Sequence, residues 1–149
     1  MKLEKMSRKS FLEYRKEALG RIADEYAGSG YYSEEEAGRF AEEFFSEMLP
    51  QGLDTSGQHL FEIVEKGKPI GIIWYTEANG NGYIQDFLIK EVDRNKGYEK
   101  EAVKLLEEDA RRRGIKNFEV AAYSHTPKLA LFAGLGYQPY YMRLSKSLS

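Results

Sequence analysis

Asn79-Gly80-Asn81-Gly82 stands between two largely apolar runs, Pro69–Tyr75 and Tyr83–Lys90, and that placement narrows the fold more than any other feature of the chain. Asn-Gly readily takes the positive φ values that a primed turn needs, so the two runs are predicted to be antiparallel strands of one hairpin. His59–Glu65 reads as a strand before them, joined across a tight turn at Gly67-Lys68. Beyond the hairpin a helix is predicted over about 97–113. It carries Ala102, Val103, Leu106 and Ala110 on one face and stops at Gly114. Ile115–Tyr123 is a strand again, so 83–90 and 116–123 are predicted to lie parallel, joined by a right-handed helical crossover.

The first half of the chain is helical. Residues 2–6 alternate weakly, as a short first strand would. From Ser7 or Ser10 the positions Phe11, Tyr14, Ala18, Leu19, Ile22 and Tyr26 share one helical face, which Gly28-Ser29-Gly30 ends. Ser33 and Glu36 form a capping-box pattern ahead of the stripe Ala37, Phe40, Ala41, Phe44, Phe45, Met48 and Leu49, and Pro50 closes it. At the other end a short helix over Pro127–Leu135, a glycine cap at Gly136 and a last strand near 137–146 complete the expectation. The fold class is therefore α/β, a mixed sheet of about six strands in the order β-α-α-β-β-β-α-β-α-β, and residues 1–149 form one domain.

Composition excludes several kinds of function. A net charge of −2 gives no field to draw the chain to nucleic acid or to anionic membrane. The absence of cysteine removes disulfides, thiolate metal sites and cysteine nucleophiles, and His59 and His125 are too isolated to make a metal site. With no signal-like apolar segment at Met1–Ser10 and no membrane-length run, the expected location is the cytoplasm.

The segment with chemical content runs from Tyr83 to Lys100: a strand, a short basic loop with a glycine, and a helix N-terminus. Such a junction aims unpaired backbone N–H groups at one spot, with the positive end of the helix dipole behind them, and suits a phosphate. Spacing alone favours an ordinary capped strand-to-helix turn over a phosphate site, because neither a P-loop nor a dinucleotide glycine pattern is present. Arg94-Asn95-Lys96-Gly97-Tyr98-Glu99 resembles the Arg/Gln-x-x-Gly-x-Gly/Ala signature of the GNAT N-acetyltransferases. Leu3–Tyr14 is similar to that family's first strand and helix. Leu131-Phe132-Ala133-Gly134-Leu135-Gly136-Tyr137 resembles its closing Leu-Tyr-Glu-x-x-Gly-Phe, and Leu49–Asp54 is similar to a group of bacterial members without an assigned substrate. The resemblance implies acetyl-CoA as co-substrate. Backbone groups around Leu88 and Ile89 would hold the pantetheine and acetyl carbonyl. Arg94 and the N–H groups of Asn95, Lys96, Gly97, Tyr98, Glu99 and Lys100 would hold the pyrophosphate.

Three positions depart from the family pattern. Glu99 replaces a glycine or alanine, Phe132 replaces a tyrosine that protonates the departing thiolate, and Ser124-His125-Thr126-Pro127 is one residue short and lacks an asparagine. Asp86, in an otherwise apolar strand, reads either as the general base for an incoming ammonium or as a structural carboxylate paired with a basic residue. Arg111-Arg112-Arg113 suits a helix C-terminus. The functional expectation is acetyl transfer to a small-molecule or peptide amine by direct attack. The alternative is an acyl-CoA-binding or regulatory module with weakened or lost turnover. A homodimer is left open.

Overall fold

A computed structural model describes all residues 1–149. Its elements are β1 (Lys2–Lys5), α1 (Arg8–Gly28), α2 (Glu34–Met48), β2 (Gln58–Glu65), β3 (Lys68–Ala78), β4 (Asn81–Ile89), α3 (Tyr98–Arg112), β5 (Asn117–Val120) and α4 (Lys128–Gly134). The strands lie in the order β1-β2-β3-β4-β5, antiparallel except for the parallel β4–β5 pair. No helix is long and apolar enough to cross a membrane.

Local chemistry sets most of the boundaries. Asn79 and Gly80 take φ of 54° and 78°, the left-handed pair that a type I′ turn requires. Ser7 caps α1 by accepting the Ser10 N–H at 3.1 Å. At α2 the Glu36 N–H donates to the Ser33 hydroxyl, and the Glu36 carboxylate accepts the Ser33 N–H. Such a cap is worth about 1 kcal/mol.

The sheet is covered on both faces. α1 and α2 lie on one side, where Tyr14, Ala18, Ile22, Ala41 and Phe45 pack with Leu60 and Trp74. On the other, Ala102, Val103, Leu106 and Ala110 of α3 pack with Phe132 of α4 and with Ile63, Ile73, Tyr75, Ile84 and Ile89. The two apolar faces of the central strands therefore reflect burial on both sides of the sheet.

The expected sixth strand near 137–146 does not form, and the sheet has five strands. Tyr137 packs edge-on against Phe132, and its hydroxyl donates to Glu107 of α3 at 2.9 Å. The chain stays beside β5, where the Tyr140 hydroxyl donates to Glu119, but forms no backbone ladder with it. Pro139, two residues after Tyr137, has no N–H for a ladder. The alternating Tyr140, Met142 and Leu144 remain exposed.

Candidate active site

β4 pairs with β5 only from Asn81 to Ile84, so residues 85–89 keep β3 on one side and have an open edge on the other. The separation starts at a β-bulge. Trp74 faces Asp86 and Tyr75 faces Ile84, which leaves Gln85 as the extra residue. Gln85 Nε2 donates to the Thr76 hydroxyl at 3.1 Å, and that hydroxyl and Trp74 Nε1 both donate to Gln58 Oε1 at 2.7 Å. Ile84 packs in the α3-side core, and strict alternation would send Asp86 there too. The extra residue reverses the parity and turns Asp86 towards α1.

Pleating decides which backbone groups reach the open edge. The Lys90 N–H donates to the Ile70 carbonyl at 2.8 Å, which puts Leu88 and Asp86 among the residues bonded to β3. A Cβ at Gly71 would run into the Leu88 carbonyl oxygen, as expected for a group facing β3. The structure thus corrects the expectation for Leu88, and the outward-facing groups belong to Phe87 and Ile89. The Ile89 carbonyl accepts Arg94 Nε at 2.9 Å, so Arg94 ties the following loop to the end of the strand.

In that loop Asn95 and Gly97 have φ of 64° and 81°, and Gly97 precedes α3 without any side-chain cap. None of the N–H groups of residues 95–100 donates to a backbone or side-chain acceptor. Six consecutive free donors at a helix N-terminus would suit an anion, and the residues present fit a pyrophosphate. Lys96 turns aside to Asp93 at 3.4 Å. Lys100 is exposed, and Tyr98 packs against the α3-side core. Glu99 is half-buried and takes part in no ion pair.

Asp86 is 2% exposed, and both its oxygens are occupied. Arg21 donates Nη1 to Oδ1 at 2.8 Å and Nη2 to Oδ2 at 2.7 Å. The Tyr14 hydroxyl donates to Oδ2 at 2.6 Å and the Phe87 N–H to Oδ1 at 3.0 Å. Glu17 supports the same guanidinium at 2.7 Å. Burial, with the Asp86 charge next to it, pushes the Tyr14 phenol well up from its ordinary value. Burial works against the Arg21 cation, but its bonds to Asp86 and Glu17 prevail and hold it more firmly protonated than a free arginine. The contacts are those of the paired carboxylate that the sequence left open beside the general base.

Where β4 and the chain after β5 diverge there is a pocket of about 270 Å³. Its floor is Ile84, Gln85 and Asp86. Ile22, Glu25 and Tyr26 of α1 and Phe44 of α2 form one wall, and Ala121, Ala122, Tyr123 and Lys128 form the other. The Tyr26 ring meets those of Tyr123 and Tyr32 edge-on, each at 5.9 Å. Burial pushes the Tyr123 phenol up to about 12. Phe132 lies outside this pocket, 2% exposed, against Phe87 and Tyr137. His125 rests against Gly28 at the end of α1, and no group of three potential metal ligands exists.

Sequence reasoning missed Arg21, Glu25 and Lys128. The signal for the first two was available, because Arg21 and Glu25 lie seven residues after Tyr14 and Ala18 and so interrupt an apolar helical stripe with charge.

The Acetyltransferase (GNAT) family model matches residues 19–137. Two Bacillus subtilis proteins, YycN and YdgE, both described as uncharacterized N-acetyltransferases, are 28% and 27% identical, each covering 98% of this chain and 97% of its own length. The crystal structure of YycN superposes with a TM-score of 0.91 at 27% identity, over 99% of this chain and 98% of that one. A Clostridium acetobutylicum acetyltransferase-type protein crystallised with acetyl-CoA shares the fold, with a TM-score of 0.61 at 15% identity, over 98% of this chain and 95% of its own. With an open β4 edge running into a helix start that no side chain caps, and a family match over residues 19–137, the chain belongs to the GNAT acetyltransferase family.

Proposed function

We propose that the protein transfers an acetyl group from acetyl-CoA to a primary amine by direct attack. The observation that carries this reading is the run of six uncommitted N–H groups at residues 95–100, continuous with the open edge of β4 at Phe87 and Ile89. The first would receive the pyrophosphate, with Arg94 holding the loop against β4. The second would receive the pantetheine amide as an added strand would, and the thioester would then lie at the pocket floored by Gln85 and Asp86.

In the reaction the neutral amine nitrogen attacks the thioester carbonyl carbon. The C–N bond forms and the C–S bond breaks, the nitrogen gives up a proton, and the sulfur leaves as thiolate and takes one. Positioning and polarisation supply most of such a rate enhancement. Asp86 is committed to Arg21 and Tyr14, so we assign it to holding α1 against the bulge, with water receiving the proton from the ammonium. Tyr123, protonated at neutral pH and lining the pocket, can donate to the thiolate, a role that the Phe132 ring cannot fill.

Calorimetric titration with acetyl-CoA, followed by thiol release on adding primary amines, tests the proposal. Saturable binding with amine-dependent thiol release supports it. Binding without release from any amine would favour the acyl-CoA-binding module, and absence of binding would defeat both readings.

A further inference from the structure

We infer that the acceptor is a primary amine carrying a single positive charge next to a flat apolar body, and that Glu25 is the group that receives its ammonium. The inference rests on the acetyltransferase reading and specifies the acceptor for the same pocket.

Charge arithmetic around the pocket limits the acceptor first. Two carboxylates line it, Asp86 and Glu25. Asp86 is neutralised by the two-pronged Arg21 contact and has no lone pair to spare. Glu25 has one partner, the Lys128 ammonium, at 3.5 Å across the gap between α1 and α4. That distance is at the outer limit of a hydrogen bond, and both side chains retain 21% exposure. Lys128 is itself a primary alkylammonium. It occupies loosely the position that an acceptor of the same chemistry would take, with its own headgroup free to swing into solvent. A polycation would need several carboxylates free to receive it, and the pocket offers only Glu25, loosely held by Lys128.

The walls supply the second half of the specificity. Tyr26, Phe44 and Tyr123 line the pocket beside Glu25, and Tyr32 packs on Tyr26 from outside. Burial first, and then the neighbouring Glu25 charge, push the Tyr26 phenol up, so its ring faces the site uncharged. Aromatic faces around one carboxylate favour a cation whose organic part is itself apolar. A volume of about 270 Å³ lies just below the roughly 300–1,000 Å³ of sites for drug-sized molecules, so the inserted part is small.

The test uses the intact protein with 2-phenylethylamine, spermidine and acetyl-CoA as probes. 2-Phenylethylamine is expected to bind the protein directly in calorimetry and, with acetyl-CoA, to show a KM at least tenfold below that of spermidine. Glu25→Gln should weaken that binding and raise that KM about tenfold while acetyl-CoA affinity stays within twofold. Lys128→Met should lower the KM severalfold, because it removes the internal competitor, a direction that loss of a merely structural ion pair would not produce. A preference for spermidine, or a Glu25→Gln protein with unchanged amine affinity, overturns the inference and leaves the acetyltransferase reading intact if acetyl-CoA binds and thiol is released. Failure of acetyl-CoA to bind, with Glu25-dependent binding of 2-phenylethylamine retained, overturns the enzyme reading and keeps the amine site. Failure of both ligands to bind overturns both.

Discussion

Removing Arg21 is expected to be far more damaging than its partly exposed position suggests, and the damage should be repaired by removing Asp86 as well. Arg21→Met leaves the methylene stem nearly intact and deletes the two donors at 2.7 and 2.8 Å from Asp86. Asp86, 2% exposed, would keep its charge with only the Tyr14 hydroxyl and the Phe87 N–H to support it. Breaking a fully buried ion pair from one side costs about 3–5 kcal/mol. The Arg21 side chain retains 27% exposure, so water can reach the vacated position. The expected loss is then about 2–3 kcal/mol. Against a urea slope of about 1–3 kcal/mol per molar, the midpoint should fall by about 1–2 M at pH 7. In Arg21→Met/Asp86→Leu no charge is stranded, and stability should return to within about 1 kcal/mol of the parent. A single variant that loses under about half a kcal/mol would show that the pair is effectively solvated. A double variant no more stable than the single would show that Arg21 acts through packing, and the stranded-charge argument would fail.

Acetyl-CoA should slow hydrogen exchange most at Ile89 and residues 95–100, where the free N–H groups converge, and protection concentrated elsewhere would remove this loop as the site. Glu99→Ala should tighten acetyl-CoA binding about three- to tenfold in low-salt calorimetry, since it deletes an unpaired, half-buried negative charge beside the phosphate donors; weaker binding would mean that the side chain orders the loop. Phe132→Tyr should change acetyl-CoA affinity less than twofold, and a rate unchanged by the new hydroxyl would point to Tyr123 as the existing acid. Burial holds His59 below its ordinary value, with the Arg113 charge adding to the effect. The unfolded chain therefore binds the proton more readily, and the fold loses stability as pH falls through about 6.5. Urea midpoints of wild type and His59→Gln should converge between pH 7.5 and 5, and parallel curves would refute that assignment.

What the sequence made legible was whatever neighbouring residues decide. The Asn79-Gly80 turn, the Ser33–Glu36 capping box and the buried face of α3 depend on contacts a few residues long, and each is present. The site was legible only in outline. Asp86 stood out as a carboxylate among apolar residues, but its partners Tyr14 and Arg21 lie 72 and 65 residues away and leave no local trace. Leu88 entered through the family resemblance, which does not carry pleat parity, and the Lys90–Ile70 bond fixes that parity one residue away. The last strand failed for a related reason. Its alternation at Tyr140, Met142 and Leu144 is real, yet a strand exists only where its backbone can pair with an edge, and here only the Tyr140 side chain reaches β5, at Glu119, while Tyr137 is tied to Glu107 of α3.

The bulge at Gln85 links these observations physically. It places Asp86 on the α1 face at the residue where β4 loses β5 as a neighbour. An apolar contact between α1 and β4 at this point would have its outer rim in water and would gain little from burial. A guanidinium tolerates that position better, since the end of Arg21 remains partly hydrated while its two-pronged contact fixes both distance and angle. Arg21 and Glu25 sit one turn apart on α1, so the clamp that sets the helix against the bulge also sets the wall carrying Glu25 and Tyr26. The width of the pocket is thus governed by a charge pair that never needs to touch the substrate. Loosening that pair should impair amine recognition before it impairs the phosphate-binding loop, which is tied to β4 independently through Arg94.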